Sequence, residues 1–169
     1  MVQIWNVFHI FLSLVTAAAM CRVVMADFSR AEVDGFLRPQ NVARAQLGLP
    51  PLQWDGRLAN YAQWWATQRQ YYGDCRLQHS GGPYGENIFW GAGKLWQPVE
   101  AANAWVRERQ WYRYYSNSCA YNNKCGHYTQ IVWRGTTRVG CARSVCNDGN
   151  VFMTCNYYPP GNWVGQRPY

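Results

Sequence analysis

Three stretches of the chain repeat apolar side chains at helical spacing, and each begins with a helix-starting signal. Ser29-Arg-Ala-Glu32 is typical of a capping box, in which the serine and the glutamate each satisfy a free backbone N–H group. Pro39 lies inside the first stretch and predicts an interruption, with a second, kinked piece running on to Leu47. Asp55 can cap the second helix, and Pro98 suits the first turn of the third. The apolar stripes of the second and third helices are Leu58, Tyr61, Ala62, Trp65 and Ala66, and Val99, Ala102, Trp105 and Val106.

The last third of the chain changes to the patterns of strands and turns. Arg138–Val145 and Asn150–Tyr157 predict two strands, because Asn147-Asp-Gly-Asn150 between them is a strong hairpin signal. His127–Trp133 predicts a short helix before them. From Pro159 to Tyr169, Pro and Gly are too frequent for regular structure. No repeat or linker divides the chain, so we expect one mixed α+β domain.

The first 26 residues are typical of a secretory signal peptide. The apolar run from Val7 to Ala19 is too short to cross a bilayer, for which about 20 residues are needed. Small residues ending at Ala26 favour cleavage there, with cleavage after one of residues 17–19 as the alternative. A buried core helix is the competing structural interpretation. We therefore predict an exported mature protein of residues 27–169 with no transmembrane anchor.

The cysteine count and the charge fit this interpretation. Cleavage after Ala26 removes Cys21 from the seven cysteines, and the remaining six favour disulfides in an exported chain. Their spacing alone leaves the pairing open. Lys and Arg number 16 against 9 Asp and Glu, which gives a formal net charge of +7. The arginines are scattered, which favours a cationic surface facing anionic wall polymers or microbial membranes over a nucleic-acid site.

Two histidines and two glutamates are the candidates for a polar site. Glu86 lies in a glycine-rich turn beside bulky apolar residues, and Glu108 flanks the apolar stripe of the third helix. A carboxylate at the edge of an apolar face needs a partner. With His79 and His127 these groups can hold a divalent cation such as zinc, or perform acid–base chemistry. Spacing alone favours a simpler arrangement, in which Glu108 pairs with a surface arginine and each histidine hydrogen-bonds within a loop.

No nucleophile of a hydrolase stands out in the sequence. Ser80 follows His79 directly, and adjacent residues rarely meet side chain to side chain. Ser116 and Ser118 lie in a polar loop. No GxSxG elbow and no phosphate-binding glycine motif is present. We therefore assign no catalytic residue.

A run of aromatic residues follows the third helix and leads into Cys119. One interpretation is that these residues pack into the core. The other is an apolar groove under the Cys119–Cys125 loop, able to take a flat hydrophobic ligand. The residues concerned are Trp111, Tyr112, Tyr114 and Tyr115.

Five motifs in a fixed order carry a family resemblance. They are Asn41-Val-Ala-Arg44-Ala-Gln-Leu-Gly48, His79-Ser-Gly-Gly-Pro-Tyr-Gly-Glu-Asn87, Cys125-Gly-His-Tyr-Thr-Gln-Ile-Val-Trp133, Gly140-Cys-Ala-Arg143 and Cys155-Asn-Tyr157. With them the chain resembles the plant pathogenesis-related protein 1 family of the CAP superfamily (cysteine-rich secretory proteins, antigen 5, pathogenesis-related 1). The resemblance covers essentially the whole mature chain.

This resemblance implies a fold and a site. The fold is a three-layer α-β-α sandwich stapled by three disulfides. The family's two histidines and two glutamates fall on His79, Glu86, Glu108 and His127, which implies a cleft for Zn²⁺ or another divalent cation. The implied disulfides are Cys75–Cys146, Cys119–Cys125 and Cys141–Cys155.

The resemblance also implies a function, which is plant defence by binding sterols or related lipids of pathogen membranes. We expect no enzymatic turnover, no required cofactor, no nucleic-acid partner, and a monomer secreted to the apoplast rather than sent to the vacuole. Pathogen effector proteins are a further expected partner. The alternatives are a precursor that releases residues 159–169 as a signalling peptide, and a metal-dependent hydrolase with Glu86 or Glu108 as the base.

Two residues depart from the family pattern. Gln40 stands where most relatives carry a histidine, and we expect a local structural effect. Tyr158 stands where relatives that release the terminal peptide usually carry aspartate. The departure at Tyr158 weakens the expectation of cleavage at the Tyr158–Pro159 bond.

Overall fold

A computed structural model describes residues 28–72 and 75–169. The expected signal peptide over residues 1–26, with Cys21, lies outside the described residues. The described residues form four α-helices and six strands. The helices are α1 (Arg30–Ala45), α2 (Gly56–Tyr71), α3 (Pro98–Arg107) and α4 (Gly126–Ile131), and the strands are β1 (Gln53–Trp54), β2 (Gly85–Gly91), β3 (Tyr112–Arg113), β4 (Ser118–Cys119), β5 (Arg138–Val145) and β6 (Val151–Tyr158).

The helices begin at the residues that the capping signals predict. The hydroxyl of Ser29 accepts a hydrogen bond from the Glu32 backbone at 3.3 Å, and the Glu32 carboxylate accepts one from the Ser29 backbone. The Asp55 carboxylate accepts from the backbone N–H groups of Arg57 and Leu58 at 2.8 and 3.2 Å. Each contact satisfies a donor that the first turn of a helix leaves free.

The predicted break at Pro39 is wrong, because α1 runs continuously through it. Proline in a helix interior removes one hydrogen bond and destabilises the helix by about 3 kcal/mol. The buried stripe of α1 continues on both sides of the proline, at Phe36 before it and at Gln40, Ala43 and Arg44 after it. Packing of this stripe against the rest of the core therefore outweighs the local cost.

Four strands form one sheet in the order β1-β5-β6-β2. β1 runs parallel to β5, and the other neighbours are antiparallel. The β5–β6 hairpin is the one that the Asn-Asp-Gly-Asn turn predicts. Strand β2 was not predicted, because its sequence GENIFWG lacks alternation and opens with glycine; it forms by pairing all seven residues with β6. β3 and β4 form a separate two-residue ladder.

Helices cover both faces of this sheet and so confirm the three-layer α-β-α sandwich. Alternate residues of β6, such as Met153 and Tyr157, face a core shared with α1, α3 and α4. Phe152, the residue before Met153, lies on the opposite side of the pleat and faces α2. A Cβ at Gly140 would overlap the backbone nitrogen of Ala59, so glycine is what lets α2 approach β5 closely.

Three disulfides cross-link the described residues, in the pairs that the family resemblance implies. Cys141 and Cys155 lie directly opposite each other on β5 and β6. Cys75–Cys146 joins the segment after α2 to the end of β5. Cys119–Cys125 closes a short loop between β4 and α4.

Candidate functional site

The first half of the candidate site is a histidine–glutamate pair at the start of β2. His79 Nδ1 lies 2.6 Å from Glu86 Oε1. The carboxylate also accepts hydrogen bonds from the Ser80 backbone at 3.0 Å and from Asn156 Nδ2 at 3.3 Å. Asn156 is the cross-strand neighbour of Glu86 on β6, which places their side chains together. The glutamate side chain is only 6% exposed, whereas that of His79 is 60% exposed.

The second pair joins the end of α3 to the start of α4. Glu108 begins a single 3₁₀ turn after α3, and its Oε1 lies 2.6 Å from His127 Nδ1. Its other oxygen accepts from the backbone N–H groups of His127 at 2.9 Å and Tyr128 at 3.3 Å. Spacing alone predicted that Glu108 pairs with a surface arginine. In the structure it pairs with His127 instead.

Hydrogen bonding shifts the ionisation of the first pair. The bond to Glu86 raises the pKa of His79 above its ordinary value, although partial burial opposes it. Burial by itself would raise the pKa of Glu86, but hydrogen bonds from His79 and Ser80 outweigh it and hold that pKa below its ordinary value. Glu86 is therefore ionised at neutral pH.

Both histidines and Glu86 line one cavity of about 450 Å³, which we call the His–Glu cleft. Asn87, Asn123, Lys124 and Asn162 also line it. Within residues 28–72 and 75–169, no three His, Cys, Asp or Glu side chains form a group able to hold a metal ion. The four predicted residues therefore stand as two pairs, and each glutamate engages the Nδ1 atom of its histidine.

A buried hydrogen-bond chain supports the cleft and includes the departure at Gln40. Gln40 is fully buried, and its Oε1 accepts from the Tyr157 hydroxyl at 2.9 Å. Asn87 Nδ2 donates to that same hydroxyl and to the carbonyl of His127, at 3.1 and 3.0 Å. Gln40 Nε2 donates to the Phe36 carbonyl, so the amide is satisfied at both ends. Gln40 is thus linked, through Tyr157 and Asn87, to the backbone of His127.

The predicted ligand groove beside the Cys119–Cys125 loop involves four aromatic residues, and ligand binding there stays a prediction. Tyr112 lines a cavity of about 320 Å³ beside the Cys119–Cys125 bridge. Tyr114 stacks on Tyr169 with ring centroids 5.1 Å apart. Tyr115 is 93% exposed. Trp111 lies at the end of the 3₁₀ turn and is also exposed.

A more apolar groove, which sequence reasoning missed, lies between α1 and α3. We call this cavity of about 460 Å³ the α1–α3 groove. Val42 and Val99 are exposed there, at 52% and 42%. The sequence pattern carries little signal for it, because that pattern assigns Val99 to the apolar stripe of the third helix. In the structure both valines lie outside the buried stripes of α1 and α3. The groove is lined by Gly35, Pro39, Val42, Ala43, Val99 and Val106, with Asp34, Arg38, Gln46 and Asn103 as its polar lining.

The C-terminal segment after Tyr158 is bound across α4 and the loop that follows it. Thr136 Oγ1 donates to the Pro159 carbonyl at 2.8 Å, and the Gly161 backbone donates to Gln130 Oε1 at 3.0 Å. Near the end of the chain, the Arg134 backbone donates to the Pro168 carbonyl at 2.6 Å. The segment also contributes to the walls of both the Tyr112 cavity and the His–Glu cleft, through Asn162. Its release remains a prediction.

The α-β-α sandwich with three disulfides is the fold that the family resemblance implies. Residues 37–157 match the CAP family, the cysteine-rich secretory protein family, and the chain belongs to it. It is 59% identical over 142 residues to pathogenesis-related protein PR-1 of Medicago truncatula, covering 83% of this chain and 81% of the relative. It is 54% identical to pathogenesis-related protein PRMS of Zea mays, covering 92% of each. These relatives place the chain in the pathogenesis-related protein 1 group of plant defence proteins, and their names indicate no catalytic activity.

The fold also matches solved structures. That of NaASP2 with Zn²⁺ superposes with a TM-score of 0.69 at 22% identity, covering 85% of this chain and 87% of the other. At this identity the likeness concerns the fold. Among the described residues, no helix is long and apolar enough to cross a membrane.

Proposed function

We propose that the protein is a secreted plant defence protein that acts by binding a sterol or related lipid in the α1–α3 groove. The observation that carries this proposal is an apolar groove open to solvent, floored by Pro39, Ala43 and Val106. Its volume of about 460 Å³ lies within the range typical of small-molecule sites. Three disulfides support secretion, because such bonds persist in oxidising compartments.

The α1–α3 groove suits a ligand with a rigid apolar body and one polar end. The apolar body would replace water against the exposed faces of Val42 and Val99, which is favourable in proportion to the area covered. Arg38 and Asp34 line the same groove and can hydrogen-bond a hydroxyl or a headgroup. The groove predicted beside the aromatic loop stays a prediction.

Filling the groove tests the proposal. We expect saturable binding of a fluorescent sterol to the wild-type protein and a loss of at least about tenfold in affinity for Val42→Trp, whose ring would occupy the groove. Val164→Trp is the matched control, because Val164 is fully exposed and lies away from this groove. Absence of saturable binding to the wild type, or equal affinity in Val42→Trp, would refute lipid binding at this site.

We also propose that the His–Glu cleft binds a divalent cation such as Zn²⁺. A histidine that donates one ring N–H to a carboxylate is oriented to ligate a metal through its other nitrogen. His79 and His127 both have Nδ1 on a glutamate, which leaves their Nε2 atoms to hold the ion, with Glu86 and Glu108 as orienting groups. Bound there, Zn²⁺ would supply charge and Lewis acidity in the cleft.

Titration calorimetry with Zn²⁺ tests the cation site. We expect His127→Gln to weaken binding by about tenfold or more, because it removes one of two imidazole ligands. Asn123→Ala is the control, since Asn123 lines the same cleft without an imidazole or a carboxylate. Binding that is equal in wild type and His127→Gln would contradict the assignment.

The two other implied functions receive less support. A metal-dependent hydrolase needs a free base, yet both glutamates are engaged by histidines and backbone N–H groups. A peptide precursor needs residues 159–169 to leave, yet this segment is hydrogen-bonded to α4 and the loop after it. A monomeric state and pathogen effector proteins as partners remain predictions.

A further inference from the structure

A row of aromatic rings crosses the α2 side of the molecule at the end of the sheet where β5 begins. Tyr158 of β6 pairs in register with Arg138 of β5, and Tyr84 immediately precedes Gly85, the partner of Tyr157. Since side chains alternate across a sheet and Phe152 faces α2, Tyr158 and Arg138 point to the α2 side as well. Arg138 of β5, Tyr158 of β6 and Tyr84, the residue before β2, thus lie side by side.

Helix α2 extends the row away from the sheet. Tyr61 and Trp64 are three residues apart and so share one helix face. The ring centroids of Tyr61 lie 5.1 Å from Tyr84 and 5.3 Å from Trp64, and those of Tyr84 and Tyr158 lie 6.4 Å apart. A Cβ at Gly82 would overlap the Tyr61 ring, so glycine at this position allows the ring to lie there.

Arginines mark the Tyr158 end of this row. The Arg138 guanidinium lies 4.9 Å from the centre of the Tyr158 ring, and its Nη1 lies 3.2 Å from Asp55 Oδ2. Arg57 is one helical turn before Tyr61, and within residues 28–72 and 75–169 its exposed side chain has no hydrogen-bond or ion-pair partner. A cavity of about 240 Å³ lies between these side chains. Its lining residues are Asp55, Arg57, Leu58, Tyr84, Arg138 and Tyr158.

We propose that this surface, formed by Arg57, Tyr61, Trp64, Tyr84, Arg138 and Tyr158 and called here the tyrosine–arginine surface, binds an acidic polysaccharide. Sugar rings present apolar C–H faces that pack on exposed aromatic rings, while tyrosine hydroxyls hydrogen-bond their hydroxyl groups. A guanidinium binds a carboxylate through two parallel N–H groups. A chain of uronic-acid sugars carries both features, and it complements a protein with a net charge of +7.

An acidic glycan fits this surface better than a lipid bilayer does. Binding to a bilayer depends on apolar side chains that enter the acyl region. Leu58, the aliphatic residue of the cavity, is buried, and the rings of the cavity are tyrosines with polar ends, of which Tyr158 is exposed and Tyr84 half-buried. The surface also lies on the α2 side of the sheet, opposite the α1–α3 groove, so the two sites can be tested separately.

Calorimetry with an oligogalacturonide of defined length tests the proposal. We expect saturable binding to the full mature protein, at least about tenfold weaker binding for Arg57→Gln/Arg138→Gln, and little binding of a neutral oligosaccharide of equal length. Arg107→Gln/Arg113→Gln is the matched control, because it removes the same charge from exposed sites elsewhere. Trp64→Ala should also weaken binding, whereas Trp90→Ala, another exposed tryptophan, should not.

Three results would overturn the proposal. The first is an equal loss of affinity in Arg57→Gln/Arg138→Gln and in Arg107→Gln/Arg113→Gln, which would mean that net charge alone attracts the oligogalacturonide. The second is no saturable binding of the oligogalacturonide by the wild type. The third is that anionic vesicles, and not the oligogalacturonide, bind in a manner sensitive to Arg57 and Arg138. Unchanged melting temperatures and unchanged sterol binding in the variants would exclude misfolding as the cause of any loss.

Discussion

The two faces of the four-stranded sheet are covered in different ways, and the difference places the candidate sites. α1, α3 and α4 cover one face, and α2 alone covers the other. Two helices packed side by side leave a groove at their outer surface, which here is the α1–α3 groove. One helix is about 10 Å wide, whereas four strands span about 14 Å. α2 therefore leaves part of this sheet face uncovered by helix, and side chains cover that part. The tyrosine–arginine surface is that part.

The two faces also differ in what holds their helices in place. On the three-helix face, the buried guanidinium of Arg44 ties α1 to the segments around α4 and before β5. It donates to four backbone carbonyls at 2.7–3.0 Å, those of Pro50, Ile131, Trp133 and Thr136. On the α2 face the contact is apolar and close, through Gly140. The packing of helices on the three-helix face therefore depends on the hydrogen bonds of Arg44. The packing of α2 on the other face depends on Gly140 having no side chain.

The largest expected effect is on the polar cross-link. We predict that Arg44→Met lowers the free energy of unfolding by about 3–5 kcal/mol, because it leaves four carbonyls without their charged donor. The measurement is urea unfolding with intact disulfides. Arg107→Met, at an exposed position, should change the stability by less than about 0.5 kcal/mol. If the two variants had equal free energies of unfolding, the hydrogen bonds of Arg44 would not be what stabilises the three-helix face.

A smaller effect is expected at the close contact on the other face. We predict that Gly140→Ala lowers the free energy of unfolding by about 1–3 kcal/mol, because the new Cβ would collide with the first turn of α2. Gly56→Ala is the matched control, since a Cβ there meets nothing within 4 Å. A neutral Gly140→Ala variant would mean that α2 can shift, which would weaken the contrast between the faces.

The smallest effect concerns the pH dependence of the His79–Glu86 pair, in protein freed of metal by a chelator. The raised pKa of His79 contributes stability below its ordinary value of 6.5, and this contribution is lost as the pH rises through the folded-state pKa. The lowered pKa of Glu86 contributes stability above its ordinary value of 4.5, and this is lost as the pH falls through its own folded-state value. The pair is therefore most stabilising between the two folded-state pKa values.

We expect this contribution to stay below about 1 kcal/mol, because solvent screens a pair whose histidine is mostly exposed. The measurement is the urea midpoint as a function of pH for wild type and Glu86→Gln. The difference between the two proteins should be largest between the folded-state pKa values and should shrink on both sides. A difference that is constant with pH would show that the pair adds no pH-dependent stability.

Local signals in the sequence were enough to predict much of the fold. The capping box at Ser29, the cap at Asp55 and the hairpin turn before Asn150 act through neighbours in the chain, so their outcome is readable without the rest of the molecule. Ordered motifs then identified the family, and with it the sandwich. Composition and cysteine count favoured an exported protein, but by themselves they did not predict its function.

Only the tertiary structure decided how distant residues meet. Strand β2 exists because β6 pairs with it, and Pro39 stays inside α1 because packing on both sides outweighs a lost hydrogen bond. The partner of Glu108 is His127, which lies 19 residues away and is brought to it by the packing of α4 against α3. Grooves and surface rows depend on the gaps between packed layers and on register across strands. The α1–α3 groove and the tyrosine–arginine surface therefore have no signature in any one segment of the chain.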